Sequence, residues 1–181
     1  KRVIENSSRQ HELYERATRD SLTGLYNWQF FFEQLDMDIR KWRRNNLLFS
    51  LGIMDIDLFK NINDTFGHLS GDRVLKGLAS FLERKLRSSD IIARYGGEEF
   101  VFIMHDSDKM KALSVMERLR SDLASTEMDS ENRIFITISC GICDIGEVQV
   151  RDDSAGEMLE IADRRLYIAK NEGRNRVVTE G

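Results

Sequence analysis

The sequence predicts an α/β chain in which one mixed central sheet is flanked by helices. Three observations predict it: a nearly continuous apolar run of strand length at Leu47–Met54, two shorter strand-like runs joined by Gly96-Gly97, and amphipathic stretches of helical spacing between and after them. The first segment, residues 1–18, is polar and proline-free with scattered apolar positions, and is expected to be a helical linker preceding a folded domain over 19–181. Asp20–Asn27 is rich in turn formers. A helix is expected from Trp28 to about Asn45, with Phe31, Leu35, Ile39 and Trp42 on one stripe.

The buried strand Leu47–Met54 ends abruptly in Asp55-Ile56-Asp57. A short helix then runs to Phe66 and stops at Gly67, and a second from Ser70 to about Leu86 turns Val74, Leu75, Leu78, Phe81 and Leu82 inward. Ile91–Tyr95 and Glu99–Met104 read as a hairpin, since adjacent glycines at the turn tolerate positive φ. Leu113, Met116, Leu119 and Leu123 mark the next helix, followed by a strand over Phe135–Cys143, a helix over Ser154–Lys170 and a short strand over Arg176–Thr179. The order β-α-α-β-β-α-β-α-β is met by one sheet covered by helices.

Composition narrows the function. A net charge of −4 argues against sequence-independent binding of a nucleic-acid polymer, while a local basic pocket for one triphosphate remains compatible with it. No run of about eighteen apolar residues crosses a membrane, and a cytoplasmic location is expected for this domain. Cys140 and Cys143 form a C-x-x-C, but they lie within a predicted strand, where residues three apart face opposite ways. Two reduced packing thiols are expected.

The acids at the strand tips carry the chemistry. Asp55 and Asp57 alternate along a strand end, and Glu98 and Glu99 lie at the tip of the expected hairpin, a candidate neighbour of that end. Carboxylates gathered at an apolar sheet edge repel and call for a compensating cation; hard oxygen ligands suit Mg²⁺ or Mn²⁺ alongside phosphate oxygens. Leu58, Phe59 and Lys60 open a helix whose free N–H groups can face an anion, with Lys60 adding a point charge. Lys170 and Arg174 project from the last helix end, where Gly173 is the expected C′ residue. Asn63, His68 and Asp72 read individually as a turn former, a surface histidine and a first-turn acid. Asp and Asn are also the side chains that guanine's edge requires.

Gly96-Gly97-Glu98-Glu99-Phe100 resembles the signature of the GGDEF family of diguanylate cyclases. The longer string from Asp55 to Asp72 matches the family pattern D-x-D-x-F-K-x-x-N-D-x-x-G-H-x-x-G-D throughout, Asp20–Asn27 resembles its entry motif, and Ala162–Asn175 its closing motif. Two departures are Trp28, where arginine is usual, and Arg165, where alanine is usual.

The resemblance implies a mainly antiparallel sheet similar to the polymerase palm and the class III nucleotidyl cyclases. It also implies that two copies, each holding one GTP, meet as a homodimer to make cyclic di-GMP. Carried over by position, Asp55, the Ile56 carbonyl and Glu98 would bind metal. Asn63, His68 and Asp72 would read guanine, while Leu58, Phe59, Lys60, Lys170 and Arg174 would hold phosphates. Lys60 and Glu98 would be catalytic, with general-base action by Glu98 left open. Arg87 and Asp90 resemble the family's R-x-x-D inhibitory product site, and Arg118 stands where a supporting arginine is often found. The alternatives are a catalytically silent nucleotide receptor, an enzyme making another cyclic dinucleotide, and a dimerisation module.

Overall fold

The structure is a computed structural model and describes residues 13–149, 151 and 153–181; most of the expected linker, residues 1–12, lies outside them. Residues 13–18 are helical (α1). They lead into β1 (Tyr26–Asn27), α2 (Trp28–Asn45), β2 (Phe49–Ile56), α3 (Phe59–Phe66), α4 (His68–Lys85), β3 (Ile91–Gly96) and β4 (Glu99–His105). Then follow α5 (Lys109–Ala124), β5 (Glu127–Asp129), β6 (Ile134–Phe135), β7 (Ile138–Asp144), a 3₁₀ turn at Ile145–Glu147, α6 (Ser154–Asn171) and β8 (Val177–Val178).

Six strands form the main sheet in the order β1-β3-β4-β2-β7-β8. Its three inner pairings are antiparallel and its two edges, β1 with β3 and β7 with β8, are parallel. β2 is therefore central, and all its residues are buried. Alternation along it explains the two cores. Phe49, Leu51 and Ile53 pack with Phe31, Leu35 and Ile39 of α2 and with Met158, Ala162 and Leu166 of α6. Met54 and Ile56 pack instead with α4 and α5, through Val74, Leu78, Met116 and Leu123. Cys140 and Cys143 fall into opposite cores, as the strand period requires. On the α6 side the helix rides directly on β7: a Cβ at Gly141 would lie 2.1 Å from the Ala162 carbonyl.

Helix ends follow local chemistry. Asn27 Oδ1 accepts the Phe30 N–H to open α2, and Asp108 Oδ1 accepts that of Lys111 to open α5. Three expectations shift. The helix expected from Ser70 starts at His68, because Gly67, at φ 83°, ends α3 and opens α4 without an intervening loop. The strand expected over Phe135–Cys143 is divided, since β6 pairs with β5 in a separate two-stranded sheet while β7 pairs with β2. Tyr26 and Asn27, read as part of a turn, pair in parallel with Ala93 and Arg94.

Candidate active site

The site is assembled where β2 ends. Asp55 lies opposite Glu99 in register, and the Ile56 N–H donates to the Glu98 carbonyl at 3.3 Å, so the hairpin tip is pinned against the acidic strand end. Asp55 is buried, and its Oδ2 lies 2.8 Å from Lys170 Nζ in the last turn of α6. Burial raises the Asp55 carboxyl above its ordinary value; Lys170 opposes this, and the nearby charges of Glu98 and Asp57 add to the rise. Burial and the neighbouring Asp55 likewise hold Glu99 up.

Asp57 has another role. Its Oδ1 accepts from Ser139 Oγ at 2.6 Å, and its Oδ2 from Thr137 Oγ1 at 2.7 Å and the Asn175 N–H at 3.0 Å. Both oxygens are committed to β7, to Thr137 just before it and to the loop after α6, so the acidic group read from the sequence divides: Asp57 builds the site and Asp55 remains turned to Lys170. Among the described residues no three acidic, histidine or cysteine side chains gather into a metal cluster of their own. Two carboxylates and a carbonyl, completed by phosphate oxygens, would form a coordination set that Mg²⁺ commonly accepts, and the like charges around buried Asp55 are ones that a cation would offset.

The elements expected to face phosphate converge on the same end. Leu58 takes the left-handed conformation, φ 57°, and opens α3 without a side-chain cap, which leaves the first N–H groups of that helix without a side-chain partner. Phe59 is buried beneath it while Leu58 and Lys60 are exposed. After α6, Gly173 sits at φ 111° and the Arg174 N–H returns to the Ala169 carbonyl at 3.0 Å, closing the helix as its sequence predicts. The Asn175 bond to Asp57 then holds the Arg174 loop against the end of β2. Asn63 lies across Gly71, where a Cβ would meet Asn63 Oδ1 at 2.0 Å; the close approach of α3 to α4 needs a glycine there, and Asp72 follows it. His68, exposed, begins α4.

Arg87, Asp90 and Arg118 line one cleft of about 380 Å³ between the end of α4, the end of β4 and α5. It lies at the other end of β3 from Gly96, about 17–20 Å away for a strand of that length. The Asp90 carboxylate accepts the backbone N–H groups of Arg87 at 3.2 Å and His105 at 3.3 Å.

One positioning group escaped the sequence reading. Arg94 donates to the Gly97 carbonyl through Nε at 3.0 Å and Nη2 at 2.8 Å, and its Nη1 pairs with Asp20 at 3.3 Å. It ties the glycine turn to the entry turn. Its place two residues before Gly96 was the available signal. Trp28, at the position of the usual arginine, packs on Tyr95 with ring centroids 4.5 Å apart.

Comparison with known proteins decides the family. The model described as "Diguanylate cyclase, GGDEF domain" matches residues 17–176. The chain belongs to the GGDEF diguanylate cyclase family. It is 39% identical over 165 residues to diguanylate cyclase DgcP of Pseudomonas aeruginosa, covering 90% of this chain and 24% of that protein. It is 40% identical over 168 residues to response regulator PleD of Caulobacter vibrioides, covering 91% and 36%. The chain thus spans between a quarter and about a third of these relatives' lengths. Among solved structures, the coiled coil and GGDEF domain of DgcB from Caulobacter crescentus, in complex with c-di-GMP, aligns with TM-score 0.88 at 30% identity over 99% of this chain and 94% of that one. Diguanylate cyclase SiaD with its activator SiaC, from P. aeruginosa, aligns with TM-score 0.84 at 31% identity over 99% and 71%.

Proposed function

We propose that this GGDEF domain condenses two GTP molecules into cyclic di-GMP and two pyrophosphates, acting as a homodimer in which each copy presents one nucleotide. The observation that carries the reading is the 2.8 Å Lys170–Asp55 pair at the junction of the β2 end, the hairpin tip and the α6 terminus. A cation from the phosphate set here neutralises an acid from the metal set.

Asp55, Glu98 and the Ile56 carbonyl are the groups that would hold Mg²⁺ or Mn²⁺. Bound there, the metal supplies Lewis acidity toward the α-phosphate and the attacking 3′-oxygen. The chain's own residues do the positioning. Arriving phosphates compete with Asp55 for Lys170, whose ammonium then supports the departing pyrophosphate together with Lys60, Arg174 and the opening N–H groups of α3. Asn63 and Asp72, with His68 nearby, orient guanine: the carboxylate accepts from its N1–H and amine, and the amide donates to a ring acceptor. Glu98 would serve first as a ligand to that metal rather than as general base. The cleft of Arg87, Asp90 and Arg118 is the site of product inhibition, since a guanidinium can stack on guanine and bond its edge while a carboxylate accepts from it. Residues 1–18 serve as a helical linker, and the domain works in the cytoplasm. Chromatographic analysis of GTP incubated with the protein and Mg²⁺ tests the reaction.

A further inference from the structure

His105 closes β4 with both ring nitrogens facing acceptors. Nε2 lies 2.8 Å from Asp38 Oδ2, and Nδ1 lies 2.6 Å from the Ser89 carbonyl. A neutral imidazole carries one N–H, so only the doubly protonated ring donates to both. Its anchor is unusual: Asp38 is 2% exposed on the face of α2 that otherwise carries Phe31, Leu35 and Ile39. A carboxylate there requires partners, and it has His105 and Lys41, the latter at 2.6 Å.

The other end of this connection is the product cleft. Asp90 lines it, Ser89 precedes Asp90 in the turn between α4 and β3, and the His105 backbone N–H also holds Asp90 Oδ1 at 3.3 Å. We infer that the Asp38–His105 pair is a charged strut that keeps the Ser89–Asp90 corner in its binding shape, so that the cleft loses affinity for cyclic di-GMP as His105 loses its proton. This role rests on the reading of Arg87 and Asp90 as the product site.

The chemistry gives the direction. The charged groups acting on the ring are Asp38 and Lys41 from α2; Asp90, from the loop before β3, accepts the His105 backbone N–H, and on β2 the register partner is the uncharged Phe49. The Asp38 hydrogen bond is the leading influence and raises the His105 pKa above 6.5, while burial and Lys41 oppose it. Asp38 itself resists burial and stays below its ordinary value through its bonds from His105 and Lys41. When the imidazolium deprotonates, the remaining proton stays on Nε2 and is donated to the Asp38 carboxylate, the stronger acceptor. The Ser89 carbonyl is then left opposite a lone pair. The raised value means that the strut is intact at lower pH and is lost as pH rises through the folded-state pKa of His105.

The test is calorimetric titration of the full chain with cyclic di-GMP from about pH 6 to about pH 9, a window that brackets a raised histidine. It compares the parent, His105→Gln, Asp38→Asn and Arg87→Ala. In the parent the dissociation constant should rise by about fivefold or more across the window, the lower end of typical site-to-site coupling. His105→Gln should show little pH dependence, and Asp38→Asn, which drops the countercharge while keeping the shape, should move the transition to lower pH. A pH dependence equal in parent and His105→Gln would overturn the strut, as would an unmoved transition in Asp38→Asn. Undiminished binding by Arg87→Ala at every pH would overturn the product-site reading beneath it instead.

Discussion

Lys170 Nζ lies 2.8 Å from Asp55 Oδ2, which joins the closing segment of the chain to its acidic strand end. In the proposed reaction the pair separates when phosphate arrives. Lys170→Met should lower kcat/KM for GTP by about a hundredfold, the scale seen when one preorganised donor to developing charge is removed. Steady-state kinetics checks this; a change under about twofold would mean that Lys170 only balances Asp55 and the helix dipole.

The raised Asp55 carboxyl gives the pH profile a sign. Its folded pKa lies above 3.8, burial being the main cause, so in the proposed metal site protons would compete with metal at higher pH than for an ordinary aspartate. Metal binding requires the ionised form and releases that proton. The acid limb of the activity profile should therefore move to lower pH as Mg²⁺ concentration rises. A limb indifferent to metal would remove Asp55 from the metal set.

Arg94 predicts an effect on turnover from outside the substrate contacts. Its two donations to the Gly97 carbonyl require a planar fork, which lysine lacks. Arg94→Lys should reduce kcat by about tenfold while KM changes little, since small displacements of a hairpin tip degrade orientation more than binding. Equal kcat in parent and variant would contradict this positioning role.

Much of this arrangement was legible in the sequence because it is local. Periodicity exposed α2, α4, α5 and α6, the apolar run exposed β2, and Gly96-Gly97 marked the hairpin. What stayed hidden depends on distant partners. Tyr26 and Asn27 are strand residues only because Ala93 and Arg94 lie beside them. Asp57 reads as a site acid until Ser139, 82 positions away, takes its Oδ1. Nothing in the sequence singles out Asp38 on its amphipathic helix until His105, 67 positions on, is found against it.

Arg165, the departure in the closing segment, is 4% exposed and holds Glu147 through two bonds, at 2.9 and 2.6 Å, while Nη1 also donates to the Ile142 carbonyl. Burial opposes ionisation of Glu147, but Arg165 and the Asp144 N–H bring its pKa down to about 2. Arg165→Met should cost about 3 kcal/mol by leaving a carboxylate without its main partner. The stabilisation from the lowered pKa is full above 4.5 and is lost as pH falls towards about 2, so parent and variant should converge in acid. Urea unfolding across that range checks it; a constant difference would point to packing alone.

The cysteines should be silent. Burial raises both thiols, Cys143 to about 12, and they occupy opposite cores. Neither should react with an alkylating reagent in the native state, and both should react on unfolding. Rapid native labelling of either would contradict the packing assigned to β7.

The central claim meets its most direct test in the products formed from GTP and Mg²⁺ by the parent protein at high concentration, beside Glu98→Gln. Cyclic di-GMP and pyrophosphate from the parent, with none from the variant, is the predicted result. No product from the parent, with tight cyclic di-GMP binding retained and enforced dimerisation unable to restore turnover, would contradict it and identify the domain as a receptor.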